Sequence, residues 1–150
     1  MSGENVLSQS FEIIGGNFGR AGKASTTVKD ILKELGIIPS IIRRTAIATY
    51  EAEMNVVMYA EKGEMTLRVT PEMVHLHLQD QGPGIPDIKL AMKEGYSTAT
   101  PEMREMGFGA GMGLPNIKKN SDLFEISSEV GKGTRLEIFI YLNPKVKANP

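Results

Sequence analysis

Apolar and polar positions along the chain fall into two rhythms. Ser10-Phe11-Glu12-Ile13-Ile14 has the short pattern of a strand and is stopped by Gly15-Gly16-Asn17. Ala21, Ala24, Val28, Ile31, Leu32 and Leu35 then recur at helical spacing, and Gly36 is a natural stop. Pro39-Ser40 opens a longer helix reaching Tyr59 or Glu61, with Ser40 as its candidate N-cap and Gly63 marking its end. Strand patterns return over 65–70 and 73–79, and Thr70-Pro71-Glu72 between them reads as a hairpin turn. A short helix is expected over about 86–93, with proline acceptable in its first turn. Residues 114–120 read as one or two helical turns. Residues 123–128 and 134–142 read as final strands joined by Glu129-Val130-Gly131-Lys132-Gly133. Residues 1–8 read as a lead-in and 143–150 as a frayed tail. Residues 95–113 are glycine-rich and weakly periodic, and so long a loop in a compact domain is functional or mobile.

The order is strand, two helices, two strands, a helical loop region and two strands, with neither regular βαβ alternation nor a repeat. This predicts an α+β two-layer sandwich: a mixed, mostly antiparallel sheet with helices on one face. A chain of 150 residues, 41% hydrophobic, has the size and core of one domain spanning 1–150. Net charge is −1, so no basic excess points to nucleic acid or a membrane surface. With no cysteine, disulfides, thiolate metal sites and cysteine nucleophiles are excluded, which fits a reducing compartment. No apolar run approaches the roughly 20 residues of a membrane span, and no secretory signal is visible at the N-terminus. A cytoplasmic location is expected.

Two phosphate-binding signatures come close and fail. Gly19 to Ser25 follows a strand and opens a helix, as a P-loop does. Asn17 stands where the first glycine is needed and Ala24 where a Mg²⁺-binding hydroxyl is needed. Gly107-Phe108-Gly109-Ala110-Gly111-Met112-Gly113 resembles a dinucleotide fingerprint, but its third glycine is misplaced and no βαβ unit surrounds it. His75 and His77 alternate with Val74, Leu76 and Leu78, which puts them on the opposite face of a strand. Without an evident third ligand they read as a polar outer face rather than a metal site.

Four pieces survive. The parity that groups Val74, Leu76 and Leu78 includes Asp80, so Asp80 points toward the helix layer and can accept a hydrogen bond from an amine. Taken alone it would be an aspartate that starts a turn at Gly82. Glu51 and Asn55, four apart, share one face of the long helix. A carboxamide can ligate a hard cation beside phosphates, and a carboxylate can orient a nucleophile or accept its proton. Taken alone they would be a solvated helix face, and Glu53 is expected to be exposed. Gly107, Gly109, Gly111 and Gly113 lead into a helix start at Leu114-Pro115-Asn116-Ile117, where backbone N–H groups can approach an anion. Gly131-Lys132-Gly133-Thr134 turns into the last strand and can place the Thr134 hydroxyl beside a base.

Glu51-x-x-x-Asn55, Asp80-x-Gly82-x-Gly84-Ile85, Gly107-x-Gly109-x-Gly111-x-Gly113-Leu114 and Gly133-Thr134 stand in the order of the motifs of the GHKL (Bergerat-fold) ATPase superfamily, named for gyrase, Hsp90, histidine kinases and MutL. The resemblance covers about residues 10–142. Within the superfamily the chain most resembles the small anti-sigma-factor serine/threonine kinases of bacterial partner-switching systems. It implies that Asp80 contacts the adenine amino group, with Thr134 assisting through water, and that Gly82, Gly84 and Ile85 shape the adenine pocket. It implies that Asn55 ligates Mg²⁺ and that Glu51 is the general base or the residue that orients the nucleophile. Residues 95–113 would be the ATP lid, with Gly107, Gly109, Gly111, Met112, Gly113 and Leu114 at the phosphates and Arg104 in reach of the γ-phosphate. This lid is longer than in the switch kinases and is similar to that of histidine-kinase catalytic domains.

The implied activity is Mg·ATP-dependent phosphorylation of a small anti-anti-sigma (STAS-type) protein, with ATP or ADP bound and a sigma factor as a further partner. The alternatives are a non-catalytic, nucleotide-gated regulator and a stand-alone histidine-kinase-like catalytic domain acting in trans. About ten residues precede the first strand, too few for a dimerisation helix pair carrying a phospho-acceptor histidine. The exposed sheet face and first strand leave a homodimer open.

Overall fold

The computed structural model describes residues 7–105 and 113–143, apart from the side chain of Arg104. The first strand, β1 (Leu7–Ile14), leads through a 3-10 turn at Phe18–Arg20 into α1 (Lys23–Glu34) and α2 (Pro39–Tyr59). The hairpin β2 (Lys62–Val69) and β3 (Met73–Gln81) follows. Short helices α3 (Ile88–Ala91), α4 (Pro101–Glu105) and α5 (Gly113–Lys119) precede β4 (Leu123–Glu129) and β5 (Gly133–Tyr141). The sheet order is β1-β2-β3-β5-β4. The mixed, mostly antiparallel sheet expected is antiparallel at every pairing among the described residues.

Strand parity sorts the side chains. Met65, Leu67 and Val69 of β2, Val74, Leu76 and Leu78 of β3, and Leu136, Ile138 and Ile140 of β5 are all buried. Register aligns them in rows, such as Leu67 beside Leu76 beside Ile138. They pack under α2, which in turn packs against α1 and α5. Because α2 is covered by the sheet and by two helices, it buries Ala48, Thr49, Ala52, Glu53, Val56 and Val57 around most of its girth. That is why its apolar positions form no clean stripe. The buried hydroxyls of Thr45 and Thr49 donate back to the carbonyls of Ile41 (2.8 Å) and Thr45 (2.6 Å), so they need no outside partner.

Several local expectations change. Ser40 is not the cap of α2: Pro39 takes the first helical position behind an extended Ile38, and no side chain caps that end. Gly63 does not end α2. The helix stops at Tyr59, Ala60 turns extended, and Gly63 lies inside β2 opposite Ile13 and Asp80. A Cβ at Gly63 would come within 2.9 Å of Val56 Cγ2, so glycine is there for helix–sheet contact. The stretch 95–113 holds a one-turn helix, α4.

The largest correction is Glu53. It is 2% exposed and turns inward from α2 to the start of α1. Its Oε2 accepts from Gly22 N–H (3.0 Å) and Ala24 N–H (3.2 Å), and its Oε1 from Ser25 N–H (3.0 Å). Gly22, the residue before α1, has a left-handed backbone and no capping side chain, so Glu53 does that work from another helix. These are the N–H groups that a P-loop would offer to phosphate. They are already occupied.

Candidate functional site

A cavity of about 490 Å³ opens among α2, the end of β3, the β3–α3 connection, α5 and β5. Its size is that of an ordinary small-molecule site. Glu51, Asn55, Asp80, Gly84, Ile85, Gly113, Leu114 and Thr134 all line it, so residues up to 83 positions apart meet in one place. Gly82 lies behind the wall: a Cβ there would sit 3.1 Å from Ala60 Cβ and 3.2 Å from Asp80 Oδ1. Gly107, Gly109, Gly111, Met112 and the side chain of Arg104 fall outside the described residues. Met54, Met58, Leu78 and Leu136 supply apolar wall, and Tyr96, Ser97 and Thr98 reach the cavity from the start of the loop.

Two polar clusters interrupt that wall. In the first, Asp80 Oδ1 accepts from Thr134 N–H at 2.9 Å. Burial pushes the Asp80 carboxyl above its ordinary range, while the N–H groups of Thr134 and Gly82 pull against that rise. Gly133 has φ 142° and its Cα faces the carbonyl oxygen of Asp80, leaving no room for a Cβ. Gly84 has φ 78° and presses on the carbonyl oxygen of Glu129 in the same way. The β3–α3 connection and the β4–β5 turn are thereby locked together. Ser128, unremarked in the sequence, is the pin. Its hydroxyl accepts from Ile85 N–H (2.7 Å), donates to Gly133 O (3.0 Å) and shares a hydrogen bond with Thr134 Oγ1 (2.8 Å). The β4–β5 hairpin sets Ser128 beside Thr134, but its reach to Ile85 N–H, 43 positions away, is what the local pattern does not show.

The second cluster lies where α2 meets α5. The i, i+4 spacing places Glu51 and Asn55 together, and the start of α5 comes up to them. A Cβ on Gly113 would lie 3.4 Å from Asn55 Oδ1 and 3.7 Å from Glu51 Oε1. Asn116 donates from Nδ2 to Glu51 Oε2 at 3.1 Å. Together the cavity offers acceptors for an amine in one cluster and a carboxylate, a carboxamide oxygen and close backbone in the other. A separate hollow of about 240 Å³ between β1 and α1, floored by Glu53, shares no lining residue with it.

The outer sheet face carries the two histidines as expected. His75 Nε2 and His77 Nδ1 both meet Glu137, at 2.7 and 2.8 Å, and among the described residues no group of three or more His, Asp or Glu is placed to hold a metal ion.

A family profile described as histidine kinase-, DNA gyrase B- and HSP90-like ATPase matches residues 43–144. The serine/threonine-protein kinase RsbT of Bacillus subtilis (strain 168) is 32% identical over 118 residues, covering 76% of this chain and 83% of that protein. An anti-sigma F factor of Caldanaerobacter subterraneus subsp. tengcongensis is 30% identical over 104 residues, 66% of this chain and 68% of that protein.

Proposed function

The chain belongs to the histidine kinase-, DNA gyrase B- and HSP90-like ATPase family, and from that membership we propose that it is a Mg·ATP-dependent protein serine/threonine kinase acting as an anti-sigma-type regulator. Its substrate would be a hydroxyl on a small anti-anti-sigma (STAS-type) protein, with a sigma factor as the further partner. The working unit would be one domain over 1–150 with its core in about 10–142 and residues 95–113 as the lid. No described helix is long and apolar enough to cross a membrane.

The two clusters support the roles that membership of the family implies. Asp80 accepts a hydrogen bond from the adenine amino group, and Thr134 assists through water. Gly82 and Gly84 hold the shape of that end, and Ile85 supplies apolar contact to the base. Asn55 Oδ1 faces the start of α5 where Glu51 Oε1 also lies, and a carboxamide oxygen there suits a hard cation. Mg²⁺ held there would neutralise charge on the transferring group. Glu51 accepts the proton of the attacking serine or threonine hydroxyl. The new O–P bond forms as the bond to the β–γ bridging oxygen breaks, and ADP leaves with that electron pair. Gly113 and Leu114 bring backbone to the phosphates, joined by Gly107, Gly109, Gly111 and Met112, with Arg104 available to the γ-phosphate.

The observation that carries this reading is the approach of Gly113 to both Glu51 and Asn55 in the cavity that also holds Asp80. The match to a serine/threonine kinase supports phosphate transfer. The match to an anti-sigma factor supports a second reading, nucleotide-gated binding of a partner without transfer. Incubation with γ-labelled ATP and anti-anti-sigma proteins separates them. The kinase reading expects label on serine or threonine with wild type and at least a ~100-fold loss with Glu51→Ala. Unchanged labelling with Glu51→Ala would remove the general-base role, and nucleotide-dependent binding without any labelling would favour the second reading.

A further inference from the structure

Glu51 is not left to find its own orientation. A glutamate side chain has three rotatable bonds, and holding it in one geometry costs entropy. Asn116 Nδ2 donates to Glu51 Oε2 at 3.1 Å, joining positions 65 apart in the chain. Both side chains are half-buried at the junction of α2 and α5. Asn116 is itself held firmly: Leu114, Pro115 and Ile117 on either side of it are buried against the core, and its carbonyl accepts from Asn120 Nδ2 at 2.9 Å. The other carboxylate oxygen, Oε1, is the one that faces Gly113, next to Asn55 Oδ1. The two oxygens of Glu51 therefore have different neighbours.

We propose that Asn116 is a positioning residue for Glu51: its amide occupies Oε2 and so presents Oε1 to the hydroxyl whose proton is to be taken. The inference rests on Glu51 as general base. The amide donor fixes which carboxylate oxygen is occupied and which stays open. It also makes the base depend on α5. Glu51 is aimed only while α5 lies on α2, and α5 begins where the glycine-rich stretch ends. Asn116 stands in the chain as one residue of a turn into a helix. Its role is visible only once the two helices touch.

The test uses the whole chain. Asn116→Leu keeps a similar size and removes the donor without adding a charge. Its kcat for phosphate transfer should fall on the order of tenfold or more, while KM for ATP and affinity for ADP stay within roughly twofold. In a Glu51→Ala background the same change should add nothing, since its effect passes through Glu51. A second readout needs no activity: in nucleotide-free protein, the side-chain amide NMR signals of Asn116 should move on Glu51→Ala while the rest of the spectrum reports an intact fold. Asn116 signals that ignore Glu51→Ala, or wild-type kcat in Asn116→Leu beside an inactive Glu51→Ala, overturn the positioning role alone. A fully active Glu51→Ala removes the general-base reading and the positioning role with it.

Discussion

Asp80 answers to two descriptions at once. As the start of a turn, it is stabilised by the N–H of Gly82 two residues on. As part of a binding site, its Oδ1 takes the N–H of Thr134, which the sequence separates from it by 54 positions. Burial nevertheless outweighs both, so the carboxyl sits above its ordinary range. A raised carboxyl contributes most to stability when protonated, below the ordinary aspartate range, and that contribution is lost as pH rises through the raised value. Wherever Asp80 is ionised, its burial is a cost to the nucleotide-free fold. Asp80→Asn keeps an oxygen for Thr134 N–H and replaces the other with an amide that cannot accept from an amine. Titration calorimetry should show ATP and ADP affinity falling by roughly 10- to 100-fold, the worth of a hydrogen bond to a charged group. Thermal unfolding without nucleotide should show a midpoint unchanged or raised. Wild-type affinity in the variant would undo the adenine assignment.

At the level of elements, legibility depended on whether a residue's partner lies within the same helix or strand. Glu51 and Asn55 could be paired because helical spacing alone puts them on one face, and the alternation of β3 alone sends Asp80 toward the helices. Glu53 could not be read. Two positions beyond Glu51, it turns to another side of α2, where the start of α1 waits, and nothing in the local pattern reports a second helix's unpaired N–H groups. Ser40 and Gly63 were misplaced for the complementary reason: a serine near a proline and a glycine after a helix are good local signals. Here Pro39 already suits the first turn, and Gly63 answers to Val56 across the helix–sheet interface. The capping role of Glu53 carries its own expectation. Glu53→Ala leaves three N–H groups of the α1 start without their acceptor. Urea unfolding should show a loss of about 2–4 kcal/mol, more than a single exposed cap contributes. A loss under about 0.5 kcal/mol would mean that solvent replaces the carboxylate freely, and that Glu53 does not hold α1 to α2.

At the scale of the whole molecule, the decisive feature is the placement of β5 between β3 and β4. Strand alternation predicted which face each residue takes, but pairing between distant strands has no local signature. That single placement sets Thr134 beside Asp80 on the helix side. On the open side it sets Glu137 between two histidines, opposite His77 and one step from Phe139, whose ring stacks on His75 at 4.4 Å. Burial pulls the Glu137 carboxyl upward. The hydrogen bonds from His75 and His77, together with their positive charge, overcome it and hold the carboxyl below its ordinary range. The folded protein thus binds this proton less readily than the unfolded chain does. The contribution of Glu137 to stability is complete above the ordinary glutamate range and drains away as pH falls through the lowered folded value. Glu137→Gln should lower unfolding free energy at neutral pH by about 1 kcal/mol, the worth of a partly exposed charge-assisted contact. The gap between wild type and variant should then close as urea titrations are carried from pH 7 toward pH 3. A gap that stays constant over that range would show that the carboxylate charge adds nothing beyond the side chain's shape. Glu137 would then be packing on the outer face rather than clasping β3 to β5.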